Sequence, residues 1–176
     1  EYSLLDGANR VKEMAKRAAE LDMPALAITD HGVMYGAIDH YTACKDVGIK
    51  PIIGVECYVS PRKHTDKDSN LDSQKNTRHL TLWAKNKKGY ENMSKLTTHA
   101  NLHGYYYKPR VDHELLAQYS EGIICGSACL GGEVPQLIMA KKMDEAIARA
   151  EMYREIFGKE NYFLEMMDHD LVGQSE

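Results

Sequence analysis

Apolar residues recur along this chain in two spacings that take turns. Val11, Met14, Ala15, Ala18 and Leu21 repeat at helical spacing and predict a helix over residues 8–21; Pro24 then separates it from an apolar run at 25–29 that predicts a strand. A second helix follows over 35–46, ended by Gly48. Residues 51–59 predict the next strand, apolar until Glu56, the pattern of a strand buried on both faces of a parallel sheet. Residues 79–84 predict another strand, with a helix after it through Tyr90, Met93, Leu96 and Thr97.

The rhythm continues in the second half. Asp112 is placed to cap a short helix through Leu115 and Leu116, residues 122–126 form a short buried strand, and 134–140 are helical. Met143, Ala146, Ile147, Ala150, Tyr153 and Phe157 make the strongest amphipathic stripe, stopped by Gly158, before a strand at 162–166. Strands alternating with helices imply an α/β fold with a parallel sheet or barrel. Residues 61–77, rich in Lys, Asp, Ser and Asn, predict one long solvated loop.

Composition narrows the function. At 176 residues the chain can form one domain with a real core, or most of a larger barrel. Hydrophobic residues at 43% and charged residues at 27% exclude general disorder. A net charge of −4 excludes a broad basic surface, so any nucleic-acid contact must be local or supplied by another part of the protein. The chain has no apolar run near the ~20 residues a bilayer span needs and no signal-peptide pattern, which predicts a cytoplasmic protein with no membrane partner. Cys44, Cys57, Cys125 and Cys129 lack zinc-finger spacing and are expected as thiols or single ligands.

Two apolar runs end in groups that can bind metal: Leu26-Ala27-Ile28-Thr29 in Asp30-His31-Gly32, and Gly54-Val55 in Glu56. In α/β folds such groups converge at the carboxyl ends of strands. Asp6 precedes the first helix, His79 opens its strand, and Cys129 lies just past another strand. Each has a plainer reading: Asp6 as a helix cap through the N–H of Asn9, Asp30 and His31 as turn residues, Glu56 in a buried ion pair, His79 at a strand edge, Cys129 as a small core residue. A buried, unpartnered Glu56 would cost several kcal/mol, roughly 2–7, which a metal or cation would remove. His40, His64, His99, His103 and His113 are expected to be solvated. Tyr105, Tyr106, Tyr107, Lys108, Pro109 and Arg110 combine aromatic faces with two cations, either to contact nucleic acid or as a loop packed by its tyrosines. Asp168 and His169 either extend the ligand set or form a turn.

The segments Glu1-Tyr2-Ser3-Leu4-Leu5-Asp6-Gly7, Pro24 through Gly32, Gly48 through Glu56, Tyr106-Tyr107-Lys108-Pro109-Arg110, Ser120-Glu121-Gly122 and Cys129-Leu130-Gly131-Gly132-Glu133-Val134-Pro135 carry a resemblance. Together they resemble, from end to end, the polymerase and histidinol phosphatase (PHP) domain of the bacterial replicative DNA polymerase III alpha subunit. The resemblance implies a distorted β/α barrel at the N-terminus of a larger polymerase, with Asp6, His31, Glu56, His79 and Cys129 as metal ligands and Asp30 as their neighbour. It also implies a His-x-His strand before the Glu-Tyr-Ser segment and a later Asp-x-His pair. Neither is present here, so the expectation is a PHP barrel without its first and closing strands, with little or no activity of its own.

For function the resemblance implies a DNA-directed DNA polymerase, with a PHP domain that is a metal-dependent phosphoesterase or 3′-to-5′ exonuclease of the proofreading type. It implies Zn²⁺ or Mn²⁺ in this domain, Mg²⁺ at a polymerase site outside it, and primer-template DNA and other replicase subunits as partners. Two alternatives stay open at this point. One is a structural PHP domain that stabilises the polymerase and binds a proofreading subunit; the other is a free-standing phosphatase for a small monoester such as histidinol phosphate.

Overall fold

The computed structural model describes residues 1–67 and 77–169; residues 68–76 of the loop expected at 61–77 lie outside the described residues. Helices and strands alternate as α1 (Val11–Glu20), β1 (Ala25–His31), α2 (Ala37–Asp46), β2 (Lys50–Val59), β3 (Arg78–Ala84), α3 (Lys87–Leu102), β4 (Tyr105–Tyr106), β5 (Lys108–Val111), α4 (His113–Gln118), β6 (Ile123–Gly126), α5 (Glu133–Met139), α6 (Met143–Phe157) and β7 (Tyr162–Phe163). Local chemistry sets several boundaries. The Asp112 carboxylate accepts the Leu115 N–H at 2.8 Å and starts α4, as its position predicts. Asn86 accepts the Gly89 N–H and starts α3. At α1 the cap comes from Glu1, which accepts the Val11 N–H at 3.1 Å, and not from Asp6.

The sheet runs β4-β5-β2-β3-β6-β7, with β1 also on β2. Strands β1 and β5 lie parallel to β2 along one of its edges, and β7 lies parallel to β6. β3 runs antiparallel to both β2 and β6, which corrects the expectation of an all-parallel sheet. A parallel return needs a crossover, usually a helix, and the described residues between β2 and β3 form none.

Alternation along the strands separates two faces. Val55, Cys57, Val59, Leu80, Leu82, Ile123 and Cys125 are buried beneath Met93 and Leu96 of α3, Leu116 of α4, and Tyr153 and Phe157 of α6. Leu26 and Ile28 pack on a second cluster, Val11, Ala15, Ala18, Ala43 and Cys44 from α1 and α2. The opposite face carries Thr29, His31, Ile52, Glu56, His79, Trp83 and Ile124, all half-buried. On that face of β2, Gly54 and Tyr58 are also buried, so the strand is covered on both faces towards its carboxyl end, as its apolar run predicts, with Glu56 half-buried between them. In α6 the buried edge is Ala146, Tyr153 and Phe157, whereas Met143 and Ile147 are more than half exposed, so the amphipathic stripe is buried only in part.

The tyrosine-rich run is not a loop but a tight hairpin, with Tyr106 paired to Lys108 and Tyr107 at the tip. Arg110 anchors its base. Only 1% exposed, its guanidinium donates to the carbonyls of Gly104 at 3.2 Å, His64 at 3.0 Å and Asp66, and lies over the Tyr106 ring. Arg110→Lys keeps the charge but cannot reproduce the planar fork, and should cost about 2 kcal/mol in urea unfolding.

Candidate metal centre

The reversed direction of β3 assembles this site. His31 pairs in register with Glu56 near the carboxyl end of β2, and Tyr58, two residues on, pairs with His79 at the amino end of β3. His79 therefore reaches the same rim as His31 and Glu56, although it opens its strand and they lie towards the ends of theirs. Cys129 arrives from the loop after β6, which docks on β3 where the His79 N–H donates to the Gly131 carbonyl at 3.0 Å.

The five residues expected as ligands form a continuous chain of contacts. Both Asp6 oxygens lie against His31 Nε2 at 2.9 and 3.1 Å, and His31 Nδ1 faces Glu56 Oε2. Glu56 Oε1 sits 2.7 Å from His79 Nδ1, which is 3.5 Å from Cys129 Sγ. Glu56, His79 and Cys129 form the compact part, each offering a ligand atom within 4.8 Å of the others. Asp6 lies at the exposed outer end, its side chain 63% accessible against 15% for Glu56.

Supporting residues hold these positions. Ala128, in the left-handed region at φ 61°, turns the chain just before Cys129, and its N–H donates to Glu165 Oε1 at 2.8 Å. The Glu165 N–H in turn donates to Ser127 Oγ. Gly131 leaves room for the imidazole, since a Cβ there would come within 2.9 Å of His79 Nδ1. Asp30 points to the other face, where it accepts from Ser3 Oγ and from the Gly36 N–H, while Ser3 Oγ accepts the His31 N–H. It positions the strand end and is not one of the converging groups.

Tyr58 and Glu165 also support the rim, although they are not among the residues expected there. Tyr58 follows Glu56 by two residues on the same strand, a spacing that places both on one face; its ring lies 6.4 Å from that of His31 and meets His79 edge-on at 5.4 Å. Nothing local marks Glu165, which acts through a loop far away in sequence.

Charge is balanced along the cluster. Burial pushes the Glu56 carboxyl up, but hydrogen bonding and charge from His79, then from His31, outweigh it and hold the group below its ordinary range. The Cys129 hydrogen bond, followed by that of Glu56, raises His79 to about 9. His79 lowers Cys129 in return, whereas burial raises the three core thiols Cys44, Cys57 and Cys125. Of the four cysteines, Cys129 is the one whose thiol is lowered and which lies among other donor groups.

These residues fit a divalent metal. His31 Nδ1 is buried against one Glu56 oxygen and His79 Nδ1 lies against the other, so two imidazoles and a carboxylate present their donor atoms to one another at the rim. Imidazole, carboxylate and thiolate together are donors suited to ions such as Zn²⁺. Asp168 and His169 are exposed and outside the compact donor group. Four histidines expected to be solvated are instead engaged: His40 contacts the Leu26 carbonyl, His64 pairs with Asp112, His99 meets the Tyr119 hydroxyl at 3.4 Å, and His113 pairs with Glu133. Each lies where two elements meet, a tertiary fact that its polar neighbours in sequence conceal. His99 and His103 lie ring to ring on one side of α3.

A mixed α/β sheet with a histidine, carboxylate and thiolate rim defines a class, and residues 1–169 match the model of the PHP domain: the chain belongs to the PHP domain family. The resemblance to the polymerase branch holds along the whole chain. It is 47% identical to the DNA polymerase III subunit alpha of Deinococcus radiodurans over 100% of its length, 46% identical to that of Treponema pallidum over 97%, and 47% identical to that of Helicobacter pylori strain 26695 over 99%. It spans 14–15% of the length of those relatives. A crystal structure from Bifidobacterium adolescentis, provisionally described as a metal-dependent phosphoesterase, covers 92% of this chain and 73% of its own at 13% identity and TM-score 0.49. No described helix is long and apolar enough to cross a membrane.

Proposed function

We propose that this chain is the PHP domain of a bacterial replicative DNA polymerase, and that its rim is a metal-dependent phosphoesterase site of the 3′-to-5′ proofreading type. The observation that carries the reading is the convergence of Glu56, His79 and Cys129 on one point, with His31 and Asp6 joined to it. A divalent ion, Zn²⁺ or Mn²⁺, held there would polarise a phosphoryl oxygen and activate water. Glu56 and His79 would hold it from the strands and Cys129 from the loop after β6, while Tyr58 packs against the rings of both His31 and His79. Primer extension, with its Mg²⁺, belongs to another part of the polypeptide, and primer-template DNA and the other replicase subunits are the partners. Polymerase relatives matched over almost the whole of this chain favour that branch over a free-standing monoesterase.

The test is made in the whole polymerase. His79→Ala should abolish Mn²⁺-dependent release of 3′ nucleotides while leaving primer extension within about twofold of wild type. If wild type and variant release 3′ nucleotides equally, or neither releases any, the domain is a scaffold for partner subunits.

A further inference from the structure

We infer that the β4–β5 hairpin is the substrate arm of this rim: Tyr107 stacks a base and Lys108 holds the adjoining phosphate of a single-stranded polynucleotide end. The inference rests on the phosphodiester reading above and names the substrate class of that site. Lys108 Nζ lies 4.2 Å from the centroid of Tyr58, the ring that packs against both His31 and His79. The hairpin is seated directly on the site, since a Cβ on Gly32, the residue after His31, would come within 2.5 Å of Pro109 Cγ. Among the described residues no carboxylate pairs with Lys108, whereas Arg110 two residues on is buried and committed to backbone carbonyls. The two cations of the run are thus divided between a fold-holding one and one free to meet an anion.

Tyr107 adds the second half. It is 61% exposed and sits at the hairpin tip with φ 59°, a backbone region costly for a bulky residue and easily filled by glycine. Its ring meets Tyr106 edge-on at 4.6 Å, a contact that still leaves the residue more than half exposed. An exposed ring next in sequence to a cation that no described carboxylate pairs is the combination that single-strand binding uses, with the ring as a platform and the cation on the backbone. Because Tyr107 is open and not enclosed, it suits a strand lying across the rim better than a small monoester held in a pocket. With a net charge of −4, any hold that this chain itself has on a polyanion must be local.

The probe is a fluorescein-labelled oligothymidylate of four nucleotides, its binding to the chain followed by anisotropy at several salt concentrations. Lys108→Ala should weaken binding about tenfold and reduce the slope of log affinity against log salt by about 0.7, the value for one phosphate contact on a single strand. Lys108→Arg should restore both. Tyr107→Gly, which relieves the left-handed backbone and so should not lower the melting temperature, should weaken binding about tenfold with the salt slope unchanged, and Tyr107→Phe should restore it. Affinities within twofold of wild type for both Lys108→Ala and Tyr107→Gly, or no binding by wild type at low salt, would overturn the arm. Nucleotide release in the whole polymerase reports the phosphoesterase reading separately, so binding that needs Tyr107 and Lys108 without release would retire that reading alone.

Discussion

Metal-free protein given Zn²⁺ or Mn²⁺ should melt about 5–10 °C higher, and Glu56→Gln should lose most of that rise. A ligand that binds only the folded chain stabilises it by about 2.7 kcal/mol at a hundred times its Kd, and in a chain of this size each kcal/mol is worth roughly 2–4 °C. Glu56 is the residue to change because it is the junction of the donor chain, touching His31 with one oxygen and His79 with the other. Glutamine keeps its size and a carbonyl acceptor but removes the charge, so a variant that folds yet no longer responds to metal assigns the loss to ligation. Asp6→Asn, at the exposed outer end, should reduce the rise only in part. Thermal unfolding with chelator and with each ion measures this. An unchanged melting temperature throughout, with no metal found by elemental analysis, would leave a structural PHP domain.

The site was legible as a set of residue types at strand ends, but the reason it assembles was not. An all-parallel sheet would put His79, at the start of its strand, on the rim opposite Glu56, roughly 20 Å away along a seven-residue strand. It reaches Glu56 because β3 is reversed. The clue was present in the sequence as the stretch from 61 to 77, which lacks the apolar period of a crossover helix. What the sequence hides more completely is which face a polar group finds. Asp30 and His31 are adjacent, yet strand alternation sends one towards Ser3 and α2 and the other to Glu56 on the rim. Helix signals fared better, because Asp112 caps α4 and Gly158 follows α6 through contacts only a few residues long. Contacts of long sequence range, such as Glu165 with Ala128 or Arg110 with His64, leave no local trace.

Glu133→Ala should cost about 3–5 kcal/mol, the loss expected when one member of a buried ion pair is removed and the others are left behind. Glu133 is the first residue of α5, and its carboxylate is 10% exposed. It contacts His113 Nε2 at 2.8 Å, accepts the Tyr153 hydroxyl at 2.5 Å, and pairs with Arg149 at 3.3 Å, tying α5 to α4 and α6. Burial alone would push its carboxyl up, but His113, then Tyr153 and Arg149, hold it below the ordinary range. A folded-state pKa below the unfolded one gives stability that is full above the unfolded pKa, near 4.3, and is lost as pH falls through the depressed folded value. Glu133→Gln should therefore be less stable than wild type at pH 7, and the gap should narrow as the solution is acidified below about pH 4. Glu56 and Asp112 are lowered too and are common to both proteins, so the narrowing isolates Glu133 from the general acid loss. Urea unfolding of the two proteins between pH 3 and 7 measures it, and a gap independent of pH would show that the cluster holds α5 through packing alone. The Cys129 loop leads directly into α5, so the same variant should also lower metal affinity, by loosening the backbone that presents the thiolate to His79.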